Sequence, residues 1–147
     1  MLLEIPPQPG RITVALPNCA NPPKIGHVVQ VAGLGGYMVN ATGHTLDDEP
    51  PDLLCGNMHV VKCPPPKKIS CYSNKIKLPY SNRLCVQEPN IDTREGDSGG
   101  GVIYNNMIYG VISSGQDRAC TGPAVTVNVC SYMTWINQEI NPRSNGK

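Results

Sequence analysis

Glycine and proline recur so often along this chain that they leave little room for long helices. There are fifteen of each in 147 residues, and the stretches between them are mostly short and rich in strand-forming residues. Because glycine and proline mark turns and end helices, this spacing is typical of short strands joined by turns. The length suits one compact domain with its own core. The sequence therefore predicts an antiparallel β-barrel or β-sandwich.

Apolar alternation and turn residues locate the individual elements. The predicted strands cover residues 1–5, 10–16 (a strand or an extended connector), 27–36, 53–63, 82–87, 101–115 and 123–129. The run 101–115 is the clearest hairpin, with its turn at Asn105-Asn106, because asparagine tolerates the left-handed backbone of a tight turn. Residues 131–140 have the apolar spacing of a short closing helix, with Ser131 as its candidate N-cap.

Composition argues against several classes of partner. Lys and Arg number 12 against 11 Asp and Glu, for a net charge of +1. This balance gives no electrostatic reason to expect nucleic acid or an anionic membrane surface as a partner. No apolar run approaches the roughly 20 residues that span a bilayer. No CxxC pair is present, so a zinc site is not expected, and no cofactor is implied.

The cysteines indicate an oxidising compartment. Seven cysteines in a chain of this size predict disulfide bonds, and the odd number leaves at least one without a partner in the chain. The opening MLLEIPPQPG lacks the basic start and long apolar run of an export signal. We therefore expect a secreted or granule protein whose export signal lies outside this sequence. In that setting the triplet Asn40-Ala41-Thr42 makes Asn40 a candidate N-glycosylation site.

The sequence GDSGG at residues 96–100 raises the question of catalysis. A serine in a glycine-rich turn can act as a nucleophile, because the turn exposes its hydroxyl and the neighbouring backbone N–H groups can bind an oxyanion. The alternative is an ordinary turn serine at Ser98. On its own this short motif is weak evidence for either interpretation.

Further landmarks accompany GDSGG along the chain. They are VQVAGLGG (29–36), PDLLC (51–55), GVISSG (110–115), PAVTVNV (123–129) and YMTWI (132–136). In this order the segments resemble the trypsin/chymotrypsin family of serine proteases, with Leu34 where the family has tryptophan. The resemblance implies an all-β, six-stranded Greek-key barrel with a short C-terminal helix. Residues 1–140 would be the second, C-terminal barrel of a trypsin-like peptidase domain, with the first barrel absent and 141–147 a flexible tail.

The resemblance also implies roles for individual residues. Ser98 is the expected nucleophile, which would form an acyl-enzyme with a peptide or protein substrate. The N–H groups of Gly96 and Ser98 are the expected oxyanion hole, and Asp97 is expected to bind a freshly cut N-terminal amine. The expected substrate-binding residues are Asp92, Ser113, Gly115 and Ala124. Protein protease inhibitors are further expected partners.

Asp92 has two interpretations. It lies six residues before Ser98, where trypsin-like members hold the carboxylate that selects lysine or arginine. Arg94, however, stands where the family has a disulfide-bonded cysteine, so its side chain is free to turn inward and neutralise Asp92. The sequence leaves both interpretations open.

The resemblance implies specific disulfide bonds as well. The implied pairs are Cys19–Cys130 and Cys71–Cys85. Because Arg94 is not a cysteine, Cys120 loses its family partner, and Cys55 matches a cysteine whose partner would lie outside this chain. Cys63 has no clear counterpart, and a Cys63–Cys120 bond is an open alternative.

The family mechanism also needs a histidine base and a buried aspartate, which in sequence come before the serine. The matching aspartate would fall just ahead of Met1. His27 leads a strand, His44 lies in a polar loop and His59 alternates along a strand, so each is expected to be at the surface or half-buried. These 147 residues alone are therefore expected to be catalytically inert.

Three functions remain open at this point. The first is a serine endopeptidase (proteolysis) whose first barrel lies outside this sequence. The second is a catalytically inactive protease homologue that acts as a binding or regulatory module. The third is an unrelated small β-barrel, which would make the Cys71/Cys85 spacing a coincidence.

Overall fold

The computed structural model describes residues 2–36, 38–44, 46, 50–65, 69–71, 74–76, 82–115 and 118–141. The strands are β1 (Val28–Gly33), β2 (Leu54–Val61), β3 (Ile69–Cys71), β4 (Asn74–Ile76), β5 (Arg83–Gln87), β6 (Gly101–Tyr104), β7 (Met107–Ser114) and β8 (Ala124–Asn128). A 3-10 turn, Val129–Tyr132, leads into helix α1 (Met133–Ile140). Within these ranges no helix is long and apolar enough to cross a membrane. The predicted tail lies outside the described residues except for Asn141.

Six strands form a closed barrel in the order β1-β2-β5-β8-β7-β6. Every neighbouring pair is antiparallel, and β6 closes the barrel on β1 with Gln30 opposite Ile103. The structure confirms the predicted all-β barrel with a short C-terminal helix. Because β6 pairs with β1 and not with β5, residues 88–100 must cross one end of the barrel, and this crossing segment carries the GDSGG motif.

The barrel interior is filled by inward-facing side chains from all six strands, and along a strand every second residue faces inward. Val29 and Val31 on β1 and Met58 and Val60 on β2 are all buried, as a two-residue period requires. The complete core cluster is Val29, Val31, Met58, Val60, Val86, Val102, Ile112 and Ala124. The β6–β7 hairpin turns at Asn105 and Asn106, whose φ angles of 49° and 60° confirm the predicted left-handed turn.

The N-terminal segment differs from the prediction. Residues 2–5 are not a strand, and Leu2, Leu3 and Ile5 are exposed. A strand needs a neighbour for its backbone hydrogen bonds, and no described strand pairs along this segment. Residues 10–16 form an extended connector, which is one of the two predicted alternatives, and not a strand. The connector makes one bridge to the barrel, in which Ala15 N donates to Asn106 O (3.2 Å).

The start of the C-terminal helix also differs from the prediction. Helix α1 begins at Met133, so its N-cap residue is Tyr132 and the predicted cap at Ser131 is wrong. The Tyr132 side chain makes no capping hydrogen bond. The chain instead enters the helix through the 3-10 turn, where Asn128 Oδ1 accepts from Cys130 N at 3.0 Å. Asparagine is a good capping residue for such a turn because its short side chain reaches the next free N–H groups.

One predicted disulfide forms and one does not. Cys19–Cys130 is present and fastens the N-terminal connector to the 3-10 turn. Cys85 is bonded to Cys63 rather than to Cys71, so the Cys71–Cys85 prediction is wrong. The reason is strand register: Val61 lies opposite Cys85 in the β2–β5 pair, which brings the chain at Cys63 to a Cα–Cα distance of 5.2 Å from Cys85.

The structure also places the other three cysteines. Cys71 lies in β3, which pairs with β4 and not with the barrel. Cys55 and Cys120 are free and exposed. The alternative Cys63–Cys120 bond is therefore also wrong, because Cys63 is already engaged.

Candidate active site

The GDSGG loop is held between β7 and the end of β1. Gly99 N donates to Ile112 O (2.9 Å), and Ile112 N donates to Gly100 O (2.8 Å). Gly100 N also donates to Asp97 O (3.0 Å), which closes the turn around Ser98. A Cβ on Gly100 would lie 2.7 Å from Ala32 O, so only glycine allows this approach to β1. The loop conformation is thus fixed by both neighbouring strands.

Ser98 lies at the exposed outer side of this turn. Its hydroxyl has no hydrogen-bond partner among the described residues, and neither its N–H nor that of Gly96 donates to any of them. Gly96 has a φ of +100°, and a Cβ there would approach Gly35 Cα to 2.8 Å. The loop therefore places one exposed hydroxyl beside two backbone N–H groups that can still donate, which is the donor set an oxyanion requires.

The Asp97 carboxylate is seated on the glycine-rich end of β1. Its Oδ1 accepts from Gly35 N (2.8 Å) and its Oδ2 from Arg94 N (2.7 Å). A Cβ on Gly33 would lie 1.7 Å from Oδ1, so the seat depends on glycine. Both oxygens thus already accept from the chain's own backbone, and binding of an N-terminal amine stays a prediction. The run AGLGG is the sequence signal that points to this close approach.

Asp92 is engaged by its own surroundings. Its Oδ1 accepts from Thr93 N (2.8 Å), and its Oδ2 accepts from Cys120 N (2.7 Å). Arg94 Nη2 lies 3.4 Å from the same Oδ2, and the side chains of Arg94 and Asp92 are only 8% and 4% exposed. Of the two interpretations left open by the sequence, this geometry corresponds to the neutralising ion pair.

A cavity of about 590 Å³ lies between the end of β1, the start of β2 and the segment 90–97. Its polar lining includes Asp92, Thr93, Arg94 and Asp97, together with the free cysteines Cys55 and Cys120. Thr93 is 4% exposed, and its Oγ1 has no hydrogen-bond partner among the described residues. Nothing in the sequence marks Thr93, because its burial depends on how the crossing segment folds back.

The other predicted pocket residues do not line this cavity. Ser113 is exposed on β7, and Gly115 is exposed just beyond the end of that strand. Gly115 packs on the crossing segment, since a Cβ there would lie 2.9 Å from Thr93 O. Ala124 is fully buried in the barrel core opposite Val86. The structure thus brings Asp92 into the cavity and leaves the three others outside it.

None of the three histidines contacts Ser98. Their ring partners are Tyr104 for His27 (3.0 Å), Thr42 for His44 (3.0 Å) and Glu88 for His59. All three histidines are exposed, as predicted. His59 pairs with Val28, so it lies roughly 16 Å along β1 from Gly33, the residue on which Asp97 rests.

Asn40 occupies an exposed turn. Its Oδ1 accepts from Thr42 N (2.9 Å) and Thr42 Oγ1 (2.7 Å), while the side chain remains at the surface. The sequon is therefore sterically open, and its glycosylation stays a prediction. In the described part of the chain, no three or more His, Cys, Asp or Glu side chains cluster as a metal site would require.

Comparisons with known proteins converge on one family. The family model named Trypsin matches residues 3–136. Cationic trypsin-3 from Rattus norvegicus is 34% identical over 131 residues, which are 87% of this chain and 48% of that protein. Granzyme F from Mus musculus is 31% identical, and the match covers 80% of this chain and 44% of that protein. A snake venom serine protease homolog from Protobothrops jerdonii is 33% identical, and the match covers 86% of this chain and 46% of that protein.

A solved structure agrees with these relatives. Neuropsin, a serine protease expressed in the limbic system of mouse brain, superposes with a TM-score of 0.64 at 26% identity. The match covers 86% of this chain and 53% of the neuropsin chain. The chain spans about half the length of the curated relatives that it matches.

Proposed function

Since the chain belongs to the trypsin family of serine proteases, we propose that it supplies the nucleophile of a serine endopeptidase. Ser98 would attack a peptide carbonyl and form an acyl-enzyme, while the Gly96 and Ser98 N–H groups stabilise the oxyanion. The observation that carries the proposal is the exposed Ser98 hydroxyl beside two backbone N–H groups with no acceptor among the described residues.

The base and its orienting aspartate would come from a first barrel outside these 147 residues. Two observations support this division of the active site. Each histidine of the chain is hydrogen-bonded to a residue other than Ser98, and the chain covers only 44–51% of relatives such as granzyme F and a thrombin-like enzyme of Bothrops jararacussu. Without a base, a serine at its ordinary pKa is a poor nucleophile, so the chain alone should be inert.

A second candidate is a catalytically inactive homologue that serves as a binding or regulatory module. The same placement of the histidines favours it, and one relative carries the name serine protease homolog. For either candidate we propose a secreted or granule location, because two disulfides suit an oxidising compartment and relatives are named for venom and mast cells. Peptide or protein substrates and protein inhibitors are the proposed partners of the enzyme.

Labelling with a fluorophosphonate probe separates the two candidates. The 147-residue chain and the full product of the native gene are each treated with the probe, and the modified peptide is identified by mass spectrometry. The enzyme predicts an adduct on Ser98 in the native gene product, none in the 147-residue chain, and none in either after Ser98→Ala. An unlabelled native product would favour the inactive homologue, whereas labelling of the 147-residue chain would require a base within it.

A further inference from the structure

The turn that carries Asn40 lies against one side of the 590 Å³ cavity. Gly43, in the same turn, accepts through its carbonyl oxygen from Ala119 N (2.9 Å). Ala119 and Cys120 line the cavity, and so does Val39, the residue before Asn40. We call these lining residues, Val39, Ala119 and Cys120, the cavity rim. The Asn40 turn therefore meets the rim twice, through the chain at Val39 and through the hydrogen bond from Ala119.

Backbone hydrogen bonds hold this turn in one conformation. Asn40 N donates to His44 O, and Gly43 N donates to Asn40 O, both at 2.9 Å. At the base of the turn Leu46 N donates to Met38 O, also at 2.9 Å. A turn that is closed by such bonds and fastened to a neighbouring segment keeps its tip in place. The Asn40 side chain therefore starts from a defined position beside the rim.

The Asn40 amide is oriented for attachment of a glycan. Its Oδ1 accepts from Thr42 N (2.9 Å), Thr42 Oγ1 (2.7 Å) and His44 N (3.1 Å), so the oxygen faces the turn. The Nδ2, which is the atom that carries an N-linked glycan, donates to no described residue, and the side chain is exposed. A glycan can therefore be attached without breaking a hydrogen bond among the described residues.

We infer that a glycan on Asn40 shields this side of the cavity, so that folded proteins are kept from the rim while small molecules still reach it. An N-linked glycan is bulky and hydrated, and one that starts beside Val39 has to occupy the space in front of the rim. A folded protein that covers the rim must displace the glycan, whereas a small molecule passes beside it. The inference rests on the proposed function only in identifying the excluded molecules as folded protein substrates and inhibitors.

The free thiol of Cys120 measures access to the rim. It is exposed and outside any disulfide, and Ala119, the residue before it, holds the Asn40 turn. The 147-residue chain is secreted from a eukaryotic cell behind an added export signal, and its Asn40 glycan is verified by mass spectrometry. N-ethylmaleimide and a maleimide on a long polyethylene glycol chain have the same reactive group and differ in size. They are compared by the rate at which the unmodified Cys120 peptide disappears.

Removing the glycan should matter for the large reagent alone. We expect the polyethylene glycol reagent to modify Cys120 at least about tenfold faster in Asn40→Gln than in the glycosylated chain, because steric access governs its association rate. N-ethylmaleimide should react with both forms at rates within about twofold of each other. Equal rates for the large reagent, or an Asn40 that carries no glycan, would overturn the inference. If Asn40→Gln does not fold, trimming the wild-type glycan with a glycosidase provides the unshielded chain.

A glycan moved to the other end of the barrel is the matched control. Ala20→Thr creates a sequon at Asn18, an exposed residue whose Oδ1 accepts from the backbone N–H of residue 20 (3.1 Å). Asn18 lies beside the Cys19–Cys130 disulfide, beyond the end of β8, whereas Cys120 precedes the start of that strand. In the Asn40→Gln background this glycan should leave the large reagent fast. Protection equal to that given by the Asn40 glycan would show that the position of the glycan is irrelevant and would refute the shield.

Thiol labelling requires no catalysis, so the inference and the proposed function can fail separately. Slow labelling of the glycosylated chain by the large reagent, together with a native gene product that does not react with fluorophosphonate, would support the shield and reject the enzyme. Equal labelling rates together with a Ser98 adduct would do the reverse.

Discussion

Removing the Asp97 carboxylate should destabilise the barrel strongly. The side chain accepts two charge-assisted hydrogen bonds, from Gly35 N at 2.8 Å and Arg94 N at 2.7 Å, and so joins the crossing segment to the end of β1. Bonds to a charged group are worth about 1.5–3 kcal/mol each, and water can replace part of that at a half-buried site. We therefore expect Asp97→Ala to lower the free energy of unfolding by about 3 kcal/mol.

Urea denaturation followed by circular dichroism measures this loss directly. For a domain of this size, about 3 kcal/mol corresponds to a fall in Tm of roughly 10 °C. Glu95→Ala is the matched control, because Glu95 is an exposed acid in the same loop and should change stability by no more than about 0.5 kcal/mol. If Asp97→Ala and Glu95→Ala cost the same, the carboxylate does not hold the loop and the geometric argument fails.

Two further predictions concern covalent chemistry. Peptide mapping without reduction should recover the Cys63–Cys85 and Cys19–Cys130 peptides, with Cys55 and Cys120 alkylated; a Cys71–Cys85 peptide would contradict the β2–β5 register argument. Secretion from a eukaryotic cell should give a glycosidase-sensitive product that becomes insensitive after Asn40→Gln, while Asn57→Gln, which alters an exposed asparagine outside any sequon, leaves the sensitivity unchanged.

The sequence predicted those features that depend on local signals. The hairpin at Asn105-Asn106 follows from alternation and turn chemistry, which depend on neighbouring residues. The same signals predicted a β-barrel or a β-sandwich, and the resemblance to a known family implied the six-stranded barrel. The strand predicted for residues 1–5 failed because a strand also needs a partner, and apolar residues alone do not supply one. The pairing of Cys85 failed for a similar reason, since it depends on the register between two strands that are more than twenty residues apart along the chain.

In the candidate site, too, features with a local sequence signal were predicted and features that depend on three-dimensional packing were not. The glycines of GDSGG predicted a tight turn around Ser98, because glycine is required by the close approach to β1, whereas the expected role of Ser98 came from the resemblance of several landmarks together. The sequence could not predict whether Asp92 is paired with Arg94, because the pairing depends on the direction of the Arg94 side chain in the folded crossing segment. Thr93 gave no signal, because burial without a hydrogen-bond partner is a property of three-dimensional packing.

Arg94 takes part in both halves of the site through different groups. Its guanidinium forms an ion pair with Asp92, whereas its backbone N–H donates to the carboxylate of Asp97 and so helps to hold the Ser98 turn. A substitution at this position changes the first interaction and retains the second, because every residue except proline keeps the N–H. The pairing of Asp92 can therefore be changed by a substitution at position 94 while the backbone contact to Asp97 is kept. A disulfide-bonded cysteine at the same position would keep the backbone contact but could not pair with the Asp92 carboxylate, so the arginine adds an ion pair to a segment that its backbone already anchors.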